Sequence, residues 1–253
     1  MSAIYNDLKD KTFLVTGASS GIGKAVAVAL GEQGAKVIIT GRDKVRLQET
    51  ADMIPTQSMQ ISVDLVDESE RNALVDAIPR LDGLCHAAGI INPFPIRYLD
   101  QTQFDKVFAI NATAPILLTS RLLGKKKFND HASIVFLSSV SSDRAMKGGA
   151  TYTISKAAIE AFSRTITLEH ASQGIRSNCL KPAMIKTAMY QKAKDFAFDP
   201  NHNARLQTYK DRYLLGIGET SDVAMATLFL LSSSSRWITG SELTLDGGLS
   251  PQI

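Results

Sequence analysis

At 253 residues the chain is long enough to bury a substantial core, as one α/β domain or two small ones. Its 44% hydrophobic and 21% charged content is that of a folded globular protein, and a net charge of +3 is too small to argue for a nucleic-acid partner. Cys85 and Cys179 lack CxxC spacing, which points away from metal and disulfide frameworks and fits a reducing compartment. The N-terminal MSAIYNDLKDK has no apolar signal core and no apolar run reads as long enough to span a bilayer, so the expectation is a cytoplasmic protein with no membrane partner.

Thr12 to Thr16 (TFLVT) is a short apolar β-type run. It passes directly into Gly17-Ala18-Ser19-Ser20-Gly21-Ile22-Gly23 and then into KAVAVALGEQG, with apolar residues at helical spacing and Gly34 as a stop signal. Strand, glycine turn and helix form the context that a dinucleotide-binding motif needs. Gly17 permits the sharp turn, Gly21 lets a pyrophosphate approach the backbone and Gly23 lets the helix pack on the sheet, while the helix N-terminus stabilises the anion. Lys36 to Thr40 (KVIIT) is a second buried strand, followed by Gly41-Arg42-Asp43. An acid near this place takes the ribose hydroxyls of NAD, whereas an arginine suits the 2′-phosphate of NADP, so Arg42 points to NADP over NAD. Asp43 also has the reach for a ribose. It stands just before KVRLQETADMI, however, where an N-cap belongs, and that structural role is the stronger reading.

Gln60 to Val63 is a third strand, ending at Asp64-Leu65. Asp64 is either an acceptor for an adenine amino group or a turn residue, since Asp67 and Glu68 open the next helix. Leu81 to Ala88 (LDGLCHAA) is a fourth strand with Gly89 where it leaves the sheet, and His86 within it reads as a packed histidine, because no second ligand stands at metal spacing. Two prolines make 92–98 a loop. Gln103 to Leu123 reads as one long helix in which Pro115 removes the hydrogen bond to the carbonyl of Asn111, making Asn111 either a kink residue or part of a water site. Lys125-Lys126-Lys127 suits that helix's C-terminus. Ile134 to Leu137 is a buried strand running toward Ser139, and a helix then continues to about Ser172, ending near Gly174. Ile175 to Leu180 is a sixth strand, 181–187 a turn, and 189–215 a stretch without clear periodicity that reads as a substrate lid. A helix from Thr220 to Ser232, capped by Thr220 or Ser221, precedes a last strand at Glu242 to Leu245. The unbroken alternation predicts a single α/β domain, a doubly wound parallel sheet of Rossmann type.

The chemistry concentrates in SVSSDRAMKGGATYTISK, residues 139–156. Tyr152 and Lys156 stand four apart, on one helix face. A free phenol titrates near pH 10, too high for efficient proton exchange at neutral pH; a neighbouring ammonium lowers that value, and a cofactor with a positive ring lowers it further. Ser139, at the end of a strand, projects a hydroxyl where open α/β sheets bind ligands. A hydroxyl, a tunable phenol and a lysine together suit proton transfer to or from a carbonyl oxygen.

Thr16-Gly17-x3-Gly21-x-Gly23, Asp64, Ala88-Gly89, Asn111, Ser139, Tyr152-x3-Lys156, Pro182 and Thr187, in that order, resemble a short-chain dehydrogenase/reductase of the compact single-domain branch over nearly the whole chain. The resemblance implies a catalytic tetrad: Asn111 to anchor a relay water, Ser139 to bind the substrate oxygen, Tyr152 as acid/base, and Lys156 to hold the nicotinamide ribose and lower the tyrosine pKa. It implies cofactor contacts from Gly17, Ser19, Ser20, Gly21, Ile22, Gly23, Arg42, Asp64, Leu65, Ala88, Gly89, Asn111, Tyr152, Lys156, Pro182, Ile185 and Thr187. It also implies a homotetramer acting on a small carbonyl or alcohol substrate. Departures are His86-Ala87 for the usual Asn-Asn, Ala183 for the glycine after Pro182, and Gln173 where many acyl-carrier-protein reductases carry arginine. The leading expectation is an NADP-dependent oxidoreductase interconverting a secondary alcohol and a ketone. The alternatives are a 3-oxoacyl thioester reductase and a catalytically silent nucleotide sensor.

Overall fold

The computed structural model describes residues 5–190 and 212–250; most of the expected lid, 189–215, lies outside them. Seven parallel strands form one sheet in the order β3-β2-β1-β4-β5-β6-β7. They are β1 (Thr12–Thr16), β2 (Lys36–Gly41), β3 (Ser58–Ser62), β4 (Leu81–His86), β5 (Phe128–Leu137), β6 (Arg176–Pro182) and β7 (Glu242–Leu245). The chain winds outward from β1 to β3, then crosses back to start again at β4. The β1–β4 boundary is therefore the topological switch point, and the crevice beyond its carboxyl ends is where such sheets bind ligands.

Phe13, Leu14, Val15 and Thr16 are consecutive and all buried, as strands covered on both faces must be. Phe13 and Val15 face one side with α1 (Gly21–Glu32), α2 (Lys44–Ala51) and α7 (Thr220–Leu231, in the order of the described helices). Leu14 faces the other, with α3 (Glu68–Ala77), α5 (Ala114–Gly124) and α6 (Ala150–His170). The result is a three-layer doubly wound fold in a single domain.

Local signals set the helix starts. Asp43 accepts from the Arg46 N–H at 3.0 Å and Asp67 from the Glu70 N–H at 2.9 Å, each an N-cap satisfying an orphan donor. Helix α7 is capped one residue earlier than expected, by Glu219 rather than Thr220 or Ser221, because Glu219 and Asp222 close a reciprocal capping box. Strand β6 runs on through Lys181 and Pro182, which were expected to turn; pairing with Thr244 and Leu245 of β7 holds them in the sheet. Strand β4 stops at His86, leaving Ala87 and Ala88 outside it, and β3 begins two residues and ends one residue earlier than expected.

The expected long helix is α4 (Gln101–Phe108), a π turn over Ala109–Thr113, and α5. The Ala114 N–H reaches back five residues to the Ala109 carbonyl, and Pro115 follows in the first turn of α5. The π turn absorbs the ring that an unbroken α-helix would not accept, and such bulges occur mostly at functional sites. Gln101–Gly124 spans 24 residues and its most apolar 18-residue window has a mean hydropathy of 1.4, so by length and composition alone it is a run able to cross a bilayer, contrary to the expectation from sequence. Its apolar residues Val107, Ala112, Leu118 and Leu122 are buried inside the fold, where they build the core.

Candidate active site

The carboxyl end of β5 carries the site. Leu137 presents its carbonyl to the Lys156 ammonium at 2.7 Å, and Ser139, two residues on, stands near enough to the Tyr152 phenol for its hydroxyl to favour the phenolate. Tyr152 and Lys156 stand on one face of α6, the ammonium 5.6 Å from the centre of the phenol ring. The Ser139 Oγ also accepts from the Ser141 N–H at 3.1 Å, which leaves its own proton available for another acceptor.

Asn111 lies at the centre of the π turn, 1% exposed. Its Oδ1 accepts from the Ile90 N–H at 2.8 Å, and its Nδ2 donates to the Ile90 carbonyl at 2.9 Å and to Ser155 Oγ at 3.2 Å. Both amide donors are therefore engaged in holding the chain just beyond Gly89, and Ser155 passes the tie on to the Tyr152 carbonyl. The side chain is a brace. What Asn111 offers beyond it is its main-chain carbonyl, whose α-helical partner would be the N–H that Pro115 lacks.

Burial decides the protonation states. It pushes the Tyr152 phenol above its ordinary value, with the hydrogen bond from Ser139 opposing only in part. The expected lowering by Lys156 is not what governs this state of the protein: the ammonium faces Leu137 and the phenol stays protonated. Burial also lowers Lys156 to about 8, against the pull of Cys179 and Glu160 in the opposite direction. His86 is packed as expected. Its Nε2 lies 2.8 Å from Thr119 Oγ1, it stacks on Phe136 at 4.8 Å between ring centres, and burial followed by the Lys156 charge pushes it down to about 3, so it stays neutral.

The glycine turn joins this cluster at the switch point. Gly17 has φ +65°, and a Cβ there would lie 2.7 Å from the Ala88 backbone, so the β1 and β4 ends approach as only a glycine allows. Ser20, the N-cap of α1, makes no side-chain cap hydrogen bond, leaving the positive end of the helix open. Gly21 faces Thr187; a Cβ at Gly21 would lie 3.5 Å from the threonine methyl and fill the gap between them. Thr187 Oγ1 donates to the Ile185 carbonyl at 3.3 Å, and the segment after Pro182 is thereby folded back over the turn. A dinucleotide fits these residues: an open helix N-terminus, a turn bare of side chains at Gly17, Gly21 and Gly23, and Gly89 within reach of Lys156 and Asn111.

At the far end, Arg42 is 64% exposed and 4.0 Å from the half-exposed Asp64 carboxylate, a contact worth little by itself. Asp64 also accepts from the Val66 N–H at 3.0 Å, the turn role weighed for it. Asp43 is committed to α2: the Arg46 N–H and then the Arg46 side chain hold its carboxyl below the usual range. Leu65 is buried and its carbonyl accepts from Arg71. Sequence reasoning missed Ser155 and a group of ions around the buried Lys181; Glu160, one helical turn beyond Lys156, was the one local signal of the latter.

Comparison with known proteins finds relatives over nearly the whole chain. Residues 17–250 match a family model described as enoyl-(acyl carrier protein) reductase. The chain is 34% identical to the L-xylulose reductase of Caenorhabditis elegans over 259 residues, 99% of each chain. It is 32% identical to the 3-oxoacyl-[acyl-carrier-protein] reductase of Rickettsia felis over 244 residues, 96% of this chain and 98% of that protein. Among solved structures it superposes on the ligand-free aldohexose dehydrogenase of Thermoplasma acidophilum with a TM-score of 0.86 at 28% identity, covering 98% of this chain and 97% of that one. For levodione reductase the TM-score is 0.89 at 25% identity, over 97% and 99%.

The depressed Lys156 pKa has a consequence for stability. Below pH 8 the folded protein carries a desolvated charge that the unfolded chain carries in water. Between about 8 and the ordinary 10.5 the folded state binds fewer protons than the unfolded one, so stability attributable to this residue rises with pH. Relative to Lys156→Met, the wild type is expected to gain about 3 kcal/mol between pH 7 and 10.5. Denaturant unfolding of both proteins across that range measures the difference; a constant difference would show that Lys156 titrates normally.

Proposed function

The chain belongs to the short-chain dehydrogenase/reductase family, and on that premise we propose that it is an NADP(H)-dependent oxidoreductase interconverting a secondary alcohol and a ketone. The observation that carries the reading is the convergence of Ser139, Tyr152 and Lys156 at the β5 end, beside the glycine turn. Bound NADPH would supply the hydride to the carbonyl carbon. In the reductive direction the protonated Tyr152 phenol gives its proton to the carbonyl oxygen, which the Ser139 hydroxyl also holds. The proton returns to Tyr152 from the Lys156 side, with the Asn111 main-chain carbonyl as the anchor for a relay water. Lys156 leaves Leu137 for the ribose hydroxyls when cofactor binds. Pro182, Ile185 and Thr187 line the nicotinamide end, and Asp64, Leu65, Ala88 and Gly89 the adenosine and ribose. Arg42 grips the 2′-phosphate, a reading supported by the commitment of Asp43 to its cap.

The nearest alternative is reduction of a 3-oxoacyl thioester, supported by the acyl-carrier-protein reductases among the relatives. Gln173, where such enzymes often carry arginine, speaks against an acyl-carrier partner. A silent nucleotide sensor is disfavoured by a complete acid/base group. The reading includes a homotetramer in the cytoplasm; the exposed Leu168, Trp237 and Leu243 near the β7 edge support self-association, and the two unpaired buried cysteines fit a reducing compartment.

Purified protein with NADPH or NADH and a panel of L-xylulose, diacetyl and acetoacetyl-CoA tests this reading. Tyr152→Phe is expected to lower kcat by about 10²–10⁴ with NADPH affinity unchanged. Retention of more than about a tenth of the wild-type rate would remove Tyr152 from the acid/base role. Wild type should prefer NADPH over NADH by roughly 10- to 150-fold in kcat/KM, and Arg42→Ala should erase that preference while leaving NADH activity in place. A wild type favouring NADH would reverse the cofactor assignment.

A further inference from the structure

Beside the β5 end lies an ion cluster built on one buried lysine, with Glu160 buried and Asp143 and Glu242 reaching solvent, that the proposed chemistry does not use. Lys181, in β6, has a side chain only 4% exposed, and its ammonium sits among three carboxylates. Asp143 is in direct hydrogen-bond contact, Glu242 lies at 3.2 Å and Glu160 at 3.9 Å. The three acids come within 4.8 Å of one another, a spacing that suits a cation, and the cation among them is the lysine itself. Burial works to lower the Lys181 pKa, but the hydrogen bonds to Asp143 and Glu242 outweigh it and keep the group charged.

The cluster reaches the catalytic strand end from two sides. Glu160 accepts from Ser138 Oγ at 2.5 Å, and Ser138 immediately precedes Ser139. Asp143 closes the single 3₁₀ turn, Val140–Ser142, that immediately follows Ser139. Both ends of the segment 138–143 are therefore tied to one ammonium, directly through Asp143 and indirectly through Glu160. Inside the segment, Ser142 Oγ donates to the Ser139 carbonyl at 2.8 Å and the Ser141 N–H to Ser139 Oγ at 3.1 Å, so the turn is braced and moves as a unit with its ends.

We propose that Lys181 is a positioning residue: its buried ammonium holds the 138–143 segment so that the Ser139 hydroxyl and the Tyr152 phenol meet the same substrate oxygen. The proposal rests on the role given to Ser139 above. Hydride and proton transfer demand close alignment, and a misplacement of about 1 Å costs on the order of 10²-fold in rate. Breaking a buried ion pair also destabilises a protein, so a loss of rate alone would not separate positioning from folding.

A double-mutant cycle does. Wild type, Lys181→Met, Ser139→Ala and the double variant are assayed with NADPH and whichever of L-xylulose, diacetyl and acetoacetyl-CoA the wild type reduces fastest, and NADPH affinity is measured separately by fluorescence titration. Lys181→Met is expected to lower kcat by about 10- to 100-fold with the NADPH Kd within about 3-fold of wild type. In the Ser139→Ala background the same substitution should cost less than about 3-fold, because the hydroxyl it positions is already gone. If Lys181→Met does not fold, Lys181→Met combined with Glu160→Gln, which removes one charge of each sign, replaces it in both backgrounds with the same expectation. An equal loss in both backgrounds, or a kcat within about 2-fold of wild type, would overturn the positioning role. A Ser139→Ala protein as fast as wild type would instead overturn the role of Ser139, and the positioning role with it.

Discussion

The site depends on an ammonium placed where water is scarce. Lys156 is 5% exposed and donates to the Leu137 carbonyl at 2.7 Å, and burial lowers its pKa to about 8. A charge in that position is stable only if strand, helix and charge are held in one register. Strand β5 must end where Leu137 has no further ladder partner for that carbonyl, and α6 must present Lys156 and Tyr152 on the face that looks at it. The same strand end then offers the Ser139 hydroxyl to the phenol, so two side chains from one helix meet two groups two residues apart on one strand. The π turn completes the arrangement by putting Asn111 where its amide can brace the exit from β4 at Ile90.

Two buried lysines show how environment divides the work. Lys156 is held mainly by a carbonyl and is driven down by burial. Lys181 is surrounded by carboxylates and is driven up, which fixes it in place. Glu160 lies between them on α6 and acts on both, raising Lys156 slightly and pairing with Lys181. One cation is held by a single carbonyl and the other by three carboxylates, so the strand end carries two lysines in opposite electrostatic settings.

The parts of this arrangement legible in the sequence are those whose cause is local. The β1–glycine–α1 unit, the Asp43 and Asp67 caps and the Tyr152–Lys156 face each follow from residues within a few positions of one another. The parts that were not legible depend on pairing across the fold. Lys181 and Pro182 look like turn residues until β7 pairs with them, and the Lys181 cluster assembles from residues 143, 160, 181 and 242, which no spacing rule connects. Asn111 was identified, but its side-chain work was not, because its partner at Ile90 is in a loop whose path the sequence does not specify. The upward shift of Tyr152 in the cofactor-free protein was not legible for a related reason: the nearness of Lys156 is visible at a spacing of four, whereas burial is a property of the whole fold.

The proposed role of Tyr152 requires that burial hold its phenol above the ordinary value in the free protein and that the positive ring of an oxidised cofactor bring it down. Carbon-13 labelling of the tyrosine ring, with the Tyr152 signal assigned by its loss in Tyr152→Phe, follows that one titration by NMR with and without NADP⁺. The account predicts titration above the ordinary value near 10 in the free protein and a clear downward shift with the oxidised cofactor bound. A Tyr152 that already titrates near neutrality in the free protein, unmoved by NADP⁺, would contradict it.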